Sequence, residues 1–203
     1  VLASHSRIAS CSASERGGGL AVVDGGSAVL HQSVVESNTA SSGGGGGIYV
    51  SGTSTLKVTG GEIRGNSGGG AGGGILVAAT GRGELLGVTV RGNSGGSGGG
   101  LAVASEAVAS AVAILQSAAD MPRADPSADS YVGPGPESTA ALVLTDVSVV
   151  DNVARMHGGG ASVCGGRVVI SGTSSRWAGN AAQRTPVAMR SSADGFVCAP
   201  SAS

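Results

Sequence analysis

Four aspartates and one histidine are the side chains from which a hydrolase or lyase centre could be assembled. Enzymes that cleave polyuronides gather Asp residues, often around calcium, with an Arg or Lys base close by. Asp24, Asp146, Asp151 and Asp194 supply the residue type, but they fall at different positions of the repeat described below. Solvated surface carboxylates are therefore the expectation. His157 precedes a glycine triplet, yet no acidic residue shares a matching position with it, so it is not assigned a catalytic role. The glycine runs carry no Asp of the kind that calcium-binding glycine-rich repeats need. Nor does any Gly-Lys-Ser/Thr open a phosphate loop. The expectation is no catalytic residue, no cofactor site and no metal site.

The cysteines, Cys11, Cys164 and Cys198, are too few and too scattered for a disulfide framework, and no CxxC pair suggests zinc. Cys164 and Cys198 are a candidate disulfide in an oxidising compartment. They belong to successive repeats but not to one position of the repeat, so the bond would need favourable corner geometry.

The elements that must carry these residues are unusual in composition. The 203 residues contain 39 glycines, 40% hydrophobic residues and only 2% aromatics. An interior built from them is small and β-branched rather than aromatic. A net charge of -1 gives no electrostatic reason to propose nucleic acid or an anionic membrane. No run of about 18 apolar residues reads as a membrane span. The first residues lack a charged segment followed by an apolar one, and a start at Val1 suggests a processed or excised part of something longer.

Internal repetition organises the chain. Glycine triplets followed by apolar-x-Val recur at Gly17-Gly18-Gly19, Gly45-Gly46-Gly47, Gly72-Gly73-Gly74 and Gly98-Gly99-Gly100, with a fifth copy at Gly158-Gly159-Gly160. A second marker keeps the same register at Cys11, Asn38, Asn66, Asn93, Asn152 and Asn180, with steps of 27, 28, 27, 59 and 28 residues. Three residues before each marker stands Ile8, Val35, Ile63, Val90, Val149 or Trp177, which reads as a core or cap position. A further apolar segment follows each glycine-led one, as in Ala28-Val29-Leu30 and Leu142-Val143-Leu144. Each repeat is thus expected to hold three short strands.

Short strands with Gly/Asn/Ser turns at this period indicate an all-β, right-handed parallel β-helix of about six coils of 27–28 residues. At a strand spacing of about 4.8 Å the stack would be roughly 29 Å long. Three successive glycines in a helix would cost roughly 3 kcal/mol against alanine, which argues against helical repeats of the same length. In a corner they are an advantage. The aligned Asn residues are expected to adopt the left-handed corner conformation and to bond amide to amide between coils. Cys11 is expected to be a small buried thiol in that column.

The 59-residue step contains an excess of just over 30, which sets an Ala/Pro-rich insertion at 104–139 within a single domain spanning 1–203. Ala104 to Asp120 reads as a short helix or a frayed segment, and Met121 to Thr139, with Pro122, Pro126, Pro134 and Pro136, as a mobile loop. In the last coil Val187-Ala188-Met189 takes the glycine-led place and Phe196-Val197-Cys198 that of the third strand. Arg64 and Arg91 share the position two before the Asn, with Glu36 there one coil earlier, giving an outer charged column of little energetic weight. Thr55, Thr89, Thr145 and Thr173 share no position, against a flat threonine rank of the ice-binding kind.

The pattern GGG-[IL]-x-V with a later [IV]-x-x-N-x-[AS], seen in Val35-Glu36-Ser37-Asn38-Thr39-Ala40 and Val149-Val150-Asp151-Asn152-Val153-Ala154, resembles the repeats of the chlamydial polymorphic outer-membrane proteins and their relatives in algae and other protists. It covers most of the chain outside the insertion. The resemblance implies a secreted or surface β-helix used for adhesion or as an extracellular scaffold. Protein partners in a larger assembly are then expected, with polysaccharide as the alternative partner of a carbohydrate-binding or degenerate lyase-like β-helix.

Overall fold

The computed structural model describes residues 1–104 and 140–183 and the backbone of 195–198. These residues form strands that pair only in parallel, each with the equivalent strand one coil before and one coil after. The result is a right-handed parallel β-helix, the hand that parallel crossovers favour. Six rungs stack along the glycine-led face: Leu20–Val22, Ile48–Val50, Ile75–Ala78, Leu101–Ala104, Ala161–Cys164 and Gly195–Cys198. Six rungs make about five full turns.

Each coil holds four strand segments rather than the expected three. The segment following the glycine-led strand and the segment leading to the Asn share one folded ten-stranded sheet. In two coils they run together as Ser27–Glu36 and Thr55–Arg64. Gln32 (φ 46°), Gly60 (φ 62°) and Gly61 (φ 85°) bend them midway. The additional face lies just after the Asn, as Ser12–Ala13, Thr39–Ala40, Ser67–Gly68, Ser94–Ser97, Val153–His157 and Ala181–Ala182. Its inward column is Ala13, Ala40, Gly68, Gly95, Ala154 and Ala182, too small to give an apolar signal in the sequence.

Like side chains stack on like between coils. Leu30, Val58, Leu85 and Leu144 form one inward column, Val35, Ile63, Val90 and Val149 a second, and Ile48, Ile75 and Leu101 a third, each residue at most 1% exposed. Each such side chain contributes about 1.5–3 kcal/mol by leaving water. Trp177 continues the second column opposite Val149 and packs against the core, as its spacing predicts.

Two boundaries differ from expectation. Ala104 ends a strand, opposite Ala78 on one side and Cys164 on the other, so the insertion begins after it; residues 105–139 lie outside the described residues. Gly195–Cys198 pairs with Ala161–Cys164, so it occupies the glycine-led face and not the third-strand place. The glycine triplet that marks this face elsewhere is missing from the last coil, which removed the register signal. Val187-Ala188-Met189, assigned there from the sequence, lies outside the described residues, as does Asp194.

Candidate functional site

The most organised polar feature is internal. Asn38, Asn66, Asn93, Asn152 and Asn180 are all at most 5% exposed and stand at one corner, in consecutive coils. The Nδ2 of each donates to the Oδ1 of the next at 3.0, 3.0, 3.0 and 2.9 Å. The same Oδ1 accepts the backbone N–H of the preceding Asn at 3.0 Å. Each Nδ2 also donates backwards to the carbonyl of the core residue that leads into the previous corner, for example Asn66 to Val35 at 2.9 Å and Asn93 to Ile63 at 2.9 Å. Buried amides thereby satisfy one another along the stack.

The left-handed conformation belongs to the residue before each marker and not to the Asn. Ser10, Ser37 and Asp151 have φ of 57°, 54° and 54°, and Gly65, Gly92 and Gly179 fill the same place. The corner thus frees the Asn to point inwards. Cys11 completes the column through its backbone N–H, which donates to Asn38 Oδ1 at 3.0 Å, but its side chain is exposed and not buried as expected. It lies on the first described rung, against the coil of Asn38, and its Sγ donates to Ala9 O at 3.4 Å.

The glycine triplets are the other half of this corner, and each member has a separate duty. The first takes a left-handed φ, 66° at Gly45. The second lies against the backbone of the short face: a Cβ on Gly46 would come within 2.3 Å of Ser67 O, and one on Gly73 within 2.2 Å of Ser94 O. The third faces the ladder, where a Cβ on Gly47 would meet the Asn66 amide at 3.0 Å. Gly17, Gly18 and Gly19, and likewise Gly98, Gly99 and Gly100, repeat the arrangement. In the fifth triplet Gly158 has φ 61°, Gly159 sits against the Ala181 backbone and Gly160 O lies beside Gly100.

On the outside, the column of Glu36, Arg64 and Arg91 is a zipper of five charges, denser than the sequence reading suggested. Glu36 is 7% exposed and is clasped by Arg7 and by Arg64, whose Nη2 lies 2.6 Å from Oε2. Glu62, two residues before Arg64, bridges Arg64 at 3.2 Å and Arg91 at 3.3 Å, so the two adjacent cations share an anion. The hydrogen bond from Arg7 first, then Arg64, holds the Glu36 carboxyl below its usual range, against an opposing push from burial. Arg7 and Glu62 were missed because they stand two residues out of the column; pairing i with i+2 of the next coil would have found them.

The candidate catalytic residues remain apart. Asp24, Asp146 and Asp151 each occupy a different corner in left-handed conformation, with φ of 54°, 51° and 54°. Asp146 Oδ1 accepts the Ser174 N–H at 2.8 Å, a bond that joins this corner to the next coil. His157 is half-buried opposite Ser97, and burial lowers its pKa. Among the described residues no group of three or more His, Cys, Asp or Glu could hold a metal. Thr55, Thr89 and Thr145 lie in separate columns, opposite Ser27, Glu62 and Leu86 respectively.

One groove of about 450 Å³ runs across the outside of the long sheet. Thr55, Lys57, Arg82, Glu84 and Val143 line it, with Lys57 and Glu84 paired at 3.2 Å. Comparison with protein families matches residues 1–107 to the family described as right handed beta helix region. Neither the curated proteins nor the solved structures give a match.

Proposed function

This chain belongs to the right-handed β-helix family, and from that premise we propose that it is a non-enzymatic scaffold or adhesin module of the cell surface or extracellular space, assembling with other chains. The observation that carries this reading is the unbroken buried ladder, from the Cys11 backbone to Asn180. It spends the chain's most ordered polar chemistry on stiffness and leaves none of it at the surface. The resemblance to the polymorphic outer-membrane repeats supports a surface location and an adhesive role.

Ala3, Ile8 and Leu20 point into the core but are only partly buried, whereas Leu30, Val35 and Ile48 one coil on are at most 1% exposed. A further coil, from this chain or another, would bury them and pair the free strand edges.

The groove beside Arg82 favours a second reading, a carbohydrate-binding or degenerate lyase-like β-helix. A panel of uronic-acid polymers, assayed with calcium for turnover and binding, separates the two. The scaffold reading expects neither; binding that Arg82→Ala abolishes would put the second reading ahead.

A further inference from the structure

We propose that Cys164 and Cys198 form a disulfide clasp that holds the last rung of the glycine-led face, and that this rung alone opens when the bond is reduced. Cys164 is disulfide-bonded, Cys11 is free and exposed, and the chain has three cysteines, which leaves Cys198. The backbone agrees, because Ala161–Cys164 and Gly195–Cys198 pair in parallel with Cys164 opposite Cys198. Neighbouring strands lie about 4.8 Å apart, inside the span of about 4.4–6.8 Å that a disulfide bridges between Cα atoms.

The column shows what the cysteine replaces. One and two rungs earlier the same place is held by Ala104 and Ala78, which belong to a thin outer layer with Tyr49, Leu76 and Ala102 and not to the main core. Small side chains suffice there while a glycine triplet and an Asn lock the adjoining corner. The last rung keeps the Asn of its coil, Asn180, but no glycine triplet precedes Gly195. Beside it on the long sheet the core is less closed, with Ile170 at 53% exposure where Leu144 is at 0%. A covalent bond is placed where the glycine lock is missing. Cys164 is only 7% exposed, so a dithiol reaches the bond after a local opening of the rung. Thiol–disulfide exchange then breaks the S–S bond, leaves two protein thiols, and converts the dithiol to its own disulfide.

The test is amide hydrogen exchange on the intact chain with and without dithiol. Exchange in 161–164 and 195–198 should quicken at least ten-fold on reduction, while 48–50, 75–78 and 101–104 stay unchanged. The double variant Cys164→Ala, Cys198→Ala, which restores the residue of the earlier rungs, should match the reduced protein and lose all response to dithiol. Equal exchange in both redox states, opening of the whole stack, or peptide mapping that links Cys164 to Cys11 would each overturn the clasp. None of these outcomes bears on whether the stack is a scaffold, so the two readings fail separately.

Discussion

Single residues in this chain are governed by what lies one coil above and below. Removing the central ladder amide illustrates it: Asn93→Ala takes acceptors from the Asn66 N–H and Nδ2 and donors from Ile63 O and Asn152 Oδ1, all buried. Buried groups left unpaired cost about 1–3 kcal/mol each, so a loss of about 3–5 kcal/mol is expected in chemical denaturation. Asn180→Ala, at the end of the column, should cost less than Asn93→Ala. Equal losses would show that the ladder is not cooperative. Glycines divide in the same way. Gly73→Ala would drive a Cβ into Ser94 O and Gly99 O, whereas Gly92 has nothing within 4 Å. Gly92→Ala should then cost only the left-handed penalty of about 1–2 kcal/mol, and Gly73→Ala distinctly more by the same measurement.

Sequence periodicity exposed these columns because the step between coils is nearly constant. It gave the ladder, the glycine corners and the core residues Val35, Ile63, Val90 and Val149 directly. What it hid was whatever lacks a size or polarity signal. The two-residue strands after each Asn turn on Ala and Gly, and the last glycine-led rung has no glycine triplet. The mistaken burial of Cys11 has a related origin: position in a column says which neighbours a residue has along the stack, but not whether a coil covers both sides.

Among the elements, the long sheet carries the charges. Its zipper of Arg7, Glu36, Arg64, Glu62 and Arg91 ties four successive coils across their outer surface. Because the folded-state pKa of Glu36 is depressed, its contribution is present above the unfolded-state value and is lost as pH falls through the folded-state value. The stability gap between the protein and Glu36→Gln should be open near neutral pH and narrow as pH falls below the ordinary carboxylate range in parallel denaturation series. It should also shrink at high salt. A gap that persists at acid pH would mean that packing, and not charge, makes Glu36 matter. His157 adds to the acid sensitivity, since burial lowers its pKa from the ordinary 6.5. Its contribution is present above that value and fades as pH drops below it.

At the scale of the whole molecule the structure is a short rod of about five turns with its chemistry turned inwards. Parallel stacking makes its stability a sum over neighbouring coils, and an uncovered rung is the place where more chain can be added. The scaffold account is tested where Ala3, Ile8 and Leu20 are incompletely buried. The decisive measurement is electron microscopy of the chain in its native assembly, without dissociating it from its partners. The account predicts density continuous with the first rung, from further coils or another chain, covering Ile8 and Leu20. A native particle in which that rung faces solvent, with a glycan seated in the groove beside Arg82, would contradict it.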